Sequence, residues 1–241
     1  AAGNLSAQVS KPITVDTSVL SAPVLVSATD SGTKGDNITN VTIPVLMGQA
    51  AANATVELWD SVNGASPVKV GSYTADATGA WSNTLSTQAE GTHNYVVKEL
   101  KADGTVNRTS SALALTTDYT APSAPSAPQL QAGSDSGLPD GITNVNTPTL
   151  TGKADANAWV SVYRAGSTLV GTVQANSSGV WTLSVPSALA DGSYSFTAQQ
   201  MDAAGNLSVA STALAVTVDT TASAPTITSG AASLAAQPVI S

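Results

Sequence analysis

The chain contains no cysteine, a single histidine and a single phenylalanine among its 241 residues. Without cysteine, neither disulfides nor thiolate metal sites can hold the fold together. Lysine and arginine total only eight against sixteen acidic residues, and the net charge of −8 argues against a nucleic-acid partner, because counterion release needs basic side chains. No apolar run is long enough to span a membrane, and no signal-peptide pattern is present.

What the chain does contain favours short strands. Nineteen glycines and twelve prolines accompany many Thr, Ser, Ala and Val residues, a composition typical of strands joined by tight turns. Apolar and polar residues alternate with a period of two, as at residues 55–59 and 194–198. Turn residues separate such segments about every eight to twelve positions. We therefore predict an all-β protein with antiparallel sandwiches of about seven strands.

The chain repeats itself with a period of about one hundred residues. Gly-Ala-Trp-Ser-Asn-Thr-Leu around Trp81 returns as Gly-Val-Trp-Thr-Leu-Ser-Val around Trp181. Asp-Ser-Gly at Asp30 returns at Asp135, and short Ile-Thr-Asn and Pro-x-Leu-x-Gly segments return at a similar offset. Such a period is too long for a solenoid and fits a whole small domain, so it predicts tandem copies of one domain.

The segments that close each copy set the predicted domain boundaries. One domain is expected at residues 17–118 and a second at residues 119–219. Ala-Gly-Asn-Leu-Ser occurs near the N-terminus and again late in the second copy, so residues 1–16 are expected to form the last strand of a preceding repeat. Residues 220–241 resemble the opening of a copy and are expected to supply the first strand of a following repeat.

Strand positions follow from the alternation. In the second copy it places strands near residues 126–132, 147–153, 158–164, 169–175, 180–185, 193–201 and 210–218, with the same order in the first copy. Trp81 and Trp181 are expected to fill the cores, and stacking on a sugar is the alternative. Tyr194 after Asp-Gly predicts a tyrosine corner, and His93, its counterpart, is expected to be structural as well.

The acidic residues are predicted to lie mostly in loops at the ends of the sandwiches. Six carboxylates are expected to crowd the joint between the copies: Asp30, Asp36, Glu90 and Asp118 from the first, Asp155 and Asp202 from the second. The far end of the second copy repeats the set as Asp135, Asp140, Asp191 and Asp219. Two hypotheses stay open for these acids.

In the first hypothesis, Asp-Ser-Gly and Asp-Gly are ordinary turn signals in which each aspartate caps its own backbone. In the second, a hard cation gathers carboxylates that would otherwise repel one another. Calcium, which takes about six to eight oxygen ligands, suits such a set better than magnesium. Neither an EF-hand pattern nor Gly-Gly-x-Gly-x-Asp nonapeptides occur, so recurrence at one end of both copies is what favours calcium.

Taken together, the motifs resemble the bacterial immunoglobulin-like (BIg) repeats of giant RTX and biofilm-associated surface adhesins of Gram-negative bacteria. The resemblance covers nearly the whole chain and rests on Asp135-Ser-Gly, Gly179-Val-Trp, Asp191-Gly-Ser-Tyr and Asp202-Ala-Ala-Gly-Asn. It implies tandem immunoglobulin-like antiparallel β-sandwiches joined end to end, with calcium (Ca²⁺) at the linkers. By position, the implied ligands are Asp16, Asp30, Asp36, Asp118, Asp135, Asp140, Asp202 and Asp219. Asp155 is a further predicted ligand, because it is expected at the joint between the copies. In the first copy Lys101 stands where the second copy has Asp202, and Asp103 is the predicted substitute ligand there.

The resemblance implies a structural extender at the extracellular surface of a bacterium. Calcium at its joints would stiffen the stalk, which projects a terminal adhesive domain for cell adhesion or biofilm formation after type I secretion. Its partners are neighbouring repeats of the same chain, and other parts of the full-length protein would bind a surface glycan or host protein.

Two other function classes have to be compared with an extender. The alternative to an extender is an immunoglobulin-like module that itself binds a glycan or host protein. The place to look is the stretch after Trp59, which is four residues longer than its counterpart (the offset falls from 104 at Gly48 to 100 at Trp81). An enzyme is not expected, because paired carboxylates that could hydrolyse glycosides stand without any visible nucleophile–base pair or phosphate loop.

Overall fold

The computed structural model describes residues 20–222. Within this range the regular elements are β-strands, apart from one 3-10 turn at Ser27–Thr29. The strand expected at residues 1–16, including Asp16, lies outside the described residues. So do residues 223–241 of the strand expected after the second copy.

Between residues 20 and 222 each copy is a series of short strands. The first copy contains β1 (Val24–Leu25), β2 (Ile38–Thr39), β3 (Val45–Gln49), β4 (Thr55–Val62), β5 (Val68–Thr74), β6 (Ala80–Thr84), β7 (Gly91–Leu100), β8 (Val106–Thr109) and β9 (Leu113–Thr117). The second contains β10 (Gln129–Leu130), β11 (Ile142–Thr143), β12 (Thr149–Lys153), β13 (Trp159–Arg164), β14 (Thr168–Gln174), β15 (Val180–Ser184), β16 (Gly192–Met201) and β17 (Leu214–Val218). Every strand predicted for the second copy overlaps an observed strand.

Two sheets form a sandwich in each copy, which confirms the predicted all-β fold. In the first copy β1, β3 and β6 form one sheet, and β2, β9, β7, β4 and β5 form the other, with β8 paired to β7. The second copy repeats this plan with β10, β12 and β15 in one sheet and β11, β17, β16, β13 and β14 in the other. Burial alternates along β7, where Tyr95 and Val97 point into the core, because successive side chains of a strand face opposite sides of the sheet.

A tryptophan facing a glycine lies in each core. Trp81 is 5% exposed and Trp181 is 1% exposed, which confirms their packing role. Gly48 lies opposite Trp81, and Gly152 lies opposite Trp181, on the neighbouring strand. A Cβ atom at Gly152 would lie 2.5 Å from the indole ring. Glycine at this position therefore leaves the space that the ring occupies.

One strand pair in each copy departs from the expected antiparallel arrangement. β2 pairs in parallel with β9, and β11 pairs in parallel with β17. These strands were not predicted, because two residues carry no readable periodicity. They fix the acids that follow the last strand of each copy: Asp118 N donates to Thr39 O at 3.0 Å, and Asp219 N donates to Thr143 O at 2.9 Å.

Two compact units divide the chain, and their bounds differ from those of the copies. Unit 1 comprises the described residues up to Ala124 together with Gln199–Val209. Unit 2 comprises Pro125–Ala198 together with the described residues from Ala210 onward. The segment Gln199–Val209 holds the end of β16 and the loop after it, so this loop belongs to the second copy by sequence and to unit 1 by packing.

His93 takes the place of a tyrosine-corner residue. In the second copy Tyr194 Oη donates to Ala190 O at 2.8 Å, which confirms the predicted corner. In the first copy His93 Nε2 lies 3.0 Å from Ala89 O, and Nδ1 lies 2.7 Å from Asp60 Oδ2. Both ring nitrogens of His93 therefore lie within hydrogen-bond distance of an oxygen, as a buried histidine requires.

Replacing Asp60 and His93 by the residues found at the same positions of the second copy, Arg164 and Tyr194, tests whether the two corners have the same structural role. The register places Arg164 where the first copy has Asp60, and its guanidinium lies 5.8 Å over the Tyr194 ring. We expect His93→Ala to cost about 1.5–3 kcal/mol, because it removes a hydrogen-bond partner from the Asp60 carboxylate. The double variant Asp60→Arg/His93→Tyr should recover at least half of that loss in thermal unfolding. A double variant no more stable than His93→Ala would contradict the equivalence.

Candidate functional site

The loop of residues 202–206 folds around its own aspartate. The Asp202 carboxylate accepts hydrogen bonds from Asn206 N at 2.8 Å and from Asn206 Nδ2 at 3.0 Å. Gly205 has a φ of +93°, in the left-handed region that favours glycine. Ala204 is fully buried. The loop is therefore a self-capped turn with a defined shape rather than an extended connection.

In unit 1 this loop sits in a polar seat made of backbone and short side chains. Thr33 N donates to Ala203 O at 3.0 Å, and Ser31 Oγ donates to Ala204 O at 2.6 Å. The Asn206 side chain accepts from Asn40 Nδ2 at 3.2 Å and donates to Asp118 O at 2.9 Å. The seat thus satisfies two consecutive loop carbonyls and both ends of one amide.

Two glycines let the backbones of loop and seat approach each other. A Cβ atom at Gly32 would lie 2.0 Å from Ala203 O and 2.6 Å from Gly205 N. A Cβ atom at Gly205 would lie 2.9 Å from Gly32 N. Both positions also have positive φ, so a side chain at either position would be strained as well as obstructed.

Asp118 is the seat residue whose acidity is perturbed. Burial raises the pKa of the Asp118 carboxyl, and the charges of Asp202 and Glu90 raise it further. A hydrogen bond from Thr120 N, 3.0 Å from Asp118 Oδ1, acts in the opposite direction. Asp202 and Glu90, both distant from Asp118 in sequence, therefore act electrostatically on Asp118 within unit 1.

Asp30 and Asp135 hold equivalent positions at the start of the acidic loops. Asp30 is 4% exposed, and its Oδ2 accepts a hydrogen bond from Gly35 N at 2.6 Å. Its backbone carbonyl accepts a close contact from Lys34 Nζ. The other carboxylate oxygen, Oδ1, is buried without a hydrogen-bond partner, and Asp135 Oδ1 is buried in the same way. A buried oxygen without a donor is costly unless a proton or a cation satisfies it.

Most of the remaining predicted ligands cap their own backbone, as the turn-signal hypothesis expects. In each case a carboxylate Oδ1 accepts from the backbone N–H two residues later: Asp36, Asp103, Asp118, Asp140 and Asp219. Hydrogen bonds from the side chain and backbone of Thr105 hold the pKa of Asp103 below its usual value. Asp155 lies exposed in the turn between β12 and β13 of unit 2. Capping one backbone donor leaves the second carboxylate oxygen free to serve another partner.

The carboxylates do not form a ready-made metal site. Across residues 20–222 no group of three or more Asp, Glu or His side chains is placed so that it could hold a metal ion. The structure brings Asp118 within electrostatic range of Asp202 and Glu90, with Asp30 and Asp36 in the same unit. The calcium ligands therefore stay a prediction.

Sequence reasoning missed the residues that grip the loop. In the sequence, Ser31 and Asn40 stand out only as parts of repeated motifs, and Asn206 only as a neighbour of Asp202. A usable signal existed, because Asn40 recurs at Asn144 and Asn206 recurs within the N-terminal Ala-Gly-Asn-Leu-Ser. A polar residue that recurs at both copies without serving a core is a candidate for contact between elements.

Similarity to known proteins decides the family. A model of the bacterial Ig-like domain matches residues 19–119 and again residues 121–220. The chain belongs to the bacterial Ig-like domain family. Two tandem bacterial Ig-like domains thus account for most of its length. Across the described residues, no helix is long and apolar enough to cross a membrane.

The bacterial Ig-like pair also resembles solved structures of large adhesins. One is a "Biofilm associated protein - BSP domain", with 16% identity over 84% of this chain and 30% of that one, at a TM-score of 0.30. A "tetra-tandem repeat in extending region of large adhesion protein" has 21% identity over 86% and 51%, at a TM-score of 0.34. A "Ca2+-stabilized adhesin" that "helps an Antarctic bacterium reach out and bind ice" has 20% identity over 84% and 50%, at a TM-score of 0.42. The chain thus spans about a third to a half of their lengths.

No curated protein sequence matches the chain significantly.

Proposed function

We propose that these bacterial Ig-like domains are part of the extender region of a secreted cell-surface adhesin. An extender works through length and through restricted bending between successive repeats. The seating of loop 202–206 on Ser31, Thr33, Asn40 and Asp118 is the observation that carries this proposal. The loop lies within the second family match, at residues 121–220, and packs in unit 1. A loop held in this way has fewer conformations to explore than a free connection.

Calcium would stiffen the joint further. It binds oxygen ligands, and the acidic loops offer carboxylates and backbone carbonyls. The unpartnered Oδ1 atoms of Asp30 and Asp135 support such a role, because both copies bury an unsatisfied oxygen at the same position. The donor chemistry therefore fits calcium. Since no three-acid cluster is assembled among the described residues, the side chains of Asp118 and Asp202 would have to turn toward the ion.

The same proposal places the protein at the extracellular surface of a bacterium. Type I secretion, a terminal adhesive domain and a role in adhesion or biofilm formation follow from the resemblance to giant adhesins and belong to the full-length protein. Within the chain, the partners are neighbouring bacterial Ig-like repeats, and the two family matches at residues 19–119 and 121–220 support that arrangement. The domain bounds proposed for the repeats are residues 17–118 and 119–219. No enzymatic activity is proposed.

Substituting Asp118 separates the effect of calcium from that of the carboxylate alone. Asparagine keeps the oxygen that accepts from Thr120 N and removes the charge near Asp202 and Glu90. Because the folded pKa of Asp118 is raised, its stability contribution is present at acid pH and is lost as pH rises through that pKa. In EDTA at neutral pH we therefore expect Asp118→Asn to stabilise unit 1 by roughly 0.5–1 kcal/mol.

In calcium, Asp118→Asn should instead make the protein less stable than wild type. Wild type should gain about 2.7 kcal/mol when free calcium is about one hundred times its dissociation constant, and Asp118→Asn should lose most of that gain. Thermal unfolding in EDTA and in a calcium series measures both effects. Asp76→Asn, in a loop whose aspartate caps Thr78, is the control that should respond to calcium like wild type. Equal calcium responses of wild type and Asp118→Asn would contradict a joint ion at Asp118.

A second candidate function is ligand binding by the first domain itself, and one cleft favours it. The cleft measures about 440 Å³ and is lined by Asp60, Lys69, His93 and residues of the longer stretch after Trp59. The corresponding cleft beside Arg164 measures only about 110 Å³. One face of the Trp59 ring is already occupied, because Lys98 Nζ lies 3.8 Å above the ring centre. A glycan array should show binding that Lys69→Ala abolishes, and an array without any hit would contradict this function.

A further inference from the structure

We propose that the end of unit 2 carrying Asp219 is a second seat, which binds an Asp-x-x-Gly-Asn loop of another bacterial Ig-like repeat. The proposal rests on the proposed extender function and adds its partner: it identifies which atoms of unit 2 receive the next repeat. The loop itself is the occupant, in the form that residues 202–206 take in unit 1.

Four of the residues that form the seat in unit 1 have identical counterparts in unit 2. The pairs are Ser31 and Ser136, Gly32 and Gly137, Asn40 and Asn144, and Asp118 and Asp219. These residues belong neither to a core nor to the regular strands. The Asn40 side chain is hydrogen-bonded to Asn206 of the loop, so the shape of the sandwich alone does not explain why an asparagine recurs at Asn144.

The hydrogen bonds that shape the seat are also the same in both units. Asn40 N donates to Ser31 Oγ at 2.8 Å, and Asn144 N donates to Ser136 Oγ at 2.8 Å. Asp219 N donates to Thr143 O, as Asp118 N does to Thr39 O, at distances of 2.9 and 3.0 Å. The second seat is therefore already shaped before any loop binds, and its occupant would meet little ordering cost.

Space for the occupant is present in unit 2. A cleft of about 330 Å³ is lined by Ser136, Asn144, Asp219 and their neighbours. Among the described residues nothing lies within 4 Å of a Cβ atom built at Gly137, whereas at Gly32 the loop backbone lies within 2.0–2.7 Å. Asn144 is exposed, while Asn40, which contacts Asn206, is half-buried.

The seat selects its occupant by backbone shape as well as by side chain. It offers donors to two consecutive carbonyls, through the backbone N–H at the Thr33 position and the serine hydroxyl. It offers an asparagine to pair with the amide of the incoming asparagine. The residue before that asparagine must be glycine, because a Cβ atom at Gly205 would meet the backbone of Gly32. Asp202 holds the incoming asparagine in place, which accounts for the Asp-x-x-Gly-Asn pattern.

The test supplies the missing partner by extending the chain. Residues 1–219 are followed by residues 119–241, so that Asp219 precedes a further repeat with its own 202–206 loop. Leu138 stands where unit 1 has Thr33, so its backbone N–H should donate to the new loop. In EDTA, we expect hydrogen exchange of the Leu138 amide to slow by about tenfold or more in the extended protein relative to the 241-residue chain.

Asn144→Ala provides the matched variant, because Asn144 is exposed in the 241-residue chain. We expect no change of melting temperature in that chain and a drop of about 4–8 °C in the extended protein. Asn40→Ala should lower the melting temperature in both. The second seat would be contradicted if the Leu138 amide exchanged at the same rate in both proteins and Asn144→Ala changed the melting temperature of both by the same amount. Because calcium is absent throughout, that failure would leave the calcium-dependent extender standing. The extender's own failure would show instead as the absence of any response to calcium.

Discussion

Gly32→Val is expected to destabilise unit 1 by about 2–3 kcal/mol more than the matched change Gly137→Val in unit 2. Both glycines have positive φ, +58° and +82°, so both substitutions carry backbone strain of roughly 1–2 kcal/mol. Only at Gly32 would the new side chain collide with a loop backbone. The collision should break the hydrogen bonds from Ser31 and Thr33 to the loop, each worth about 1 kcal/mol.

Residue-level hydrogen exchange measures this difference without assuming that the units unfold together. In Gly32→Val the amide of Thr33, which donates to Ala203 O, should lose its protection. The strands of unit 2 should keep theirs. If the two glycine substitutions have the same effect, the seat contributes nothing to holding the loop.

Arg108→Ala is expected to cost the first domain about 3–5 kcal/mol, because it removes the cationic partner of a buried carboxylate. Glu99 is 2% exposed, and Arg108 Nη2 donates to its Oε2 at 2.6 Å. Ala51 N and Asn107 Nδ2 donate to the same carboxylate, at 3.1 and 2.8 Å. These neutral donors cannot replace the lost charge.

The second domain suggests a substitution that should restore the lost stability. Its residue at the position of Glu99 is Gln200, which is equally buried and donates to Ser123 O at 2.8 Å. We expect Glu99→Gln to restore most of the stability that Arg108→Ala removes, since no buried charge then remains unpaired. Chemical denaturation of wild type, the two single variants and the double variant gives a double-mutant cycle. Purely additive effects would contradict the buried-charge explanation.

The same carboxylate predicts how the first domain responds to acid. Burial raises the pKa of Glu99, but hydrogen bonds from Arg108, Ala51 and Asn107 outweigh burial and hold the pKa below its usual value. Its contribution is therefore fully present above the unfolded pKa of about 4.3 and is lost as pH falls through the folded pKa. Wild type should lose its stability advantage over Glu99→Gln in that acid range, and an advantage that persists unchanged at low pH would contradict this.

The strands could be predicted from sequence because burial on one face imposes alternation. β16 and β13 carry that alternation, and Trp181 with Gly152 marks a packed core. β2 and β11 could not be predicted, since two-residue strands held by parallel pairing have no pattern of their own. The internal repeat gave more information about the fold than the alternation did, because each feature predicted in one copy could be checked against the other copy.

The sequence marks the seat only through its recurring asparagines, and what the seat binds could not be predicted for a physical reason. The seat binds carbonyl oxygens of Ala203 and Ala204, and backbone groups leave no trace in residue type. The grouping of the loop with unit 1 is a long-range contact that no local pattern encodes. The aspartates were conspicuous in the sequence, yet several serve first as caps of their own turns, as Asp36 and Asp140 do.

Small-angle scattering of the full chain, in saturating calcium and in EDTA, tests the extender most directly. Calcium binding should be followed by titration calorimetry on the same samples. We predict that calcium raises the radius of gyration and the maximum interatomic distance, because ions that bind the ordered joint populate it. Asp118→Asn should scatter alike in both buffers. Identical profiles for wild type with and without bound calcium would contradict a calcium-stiffened extender.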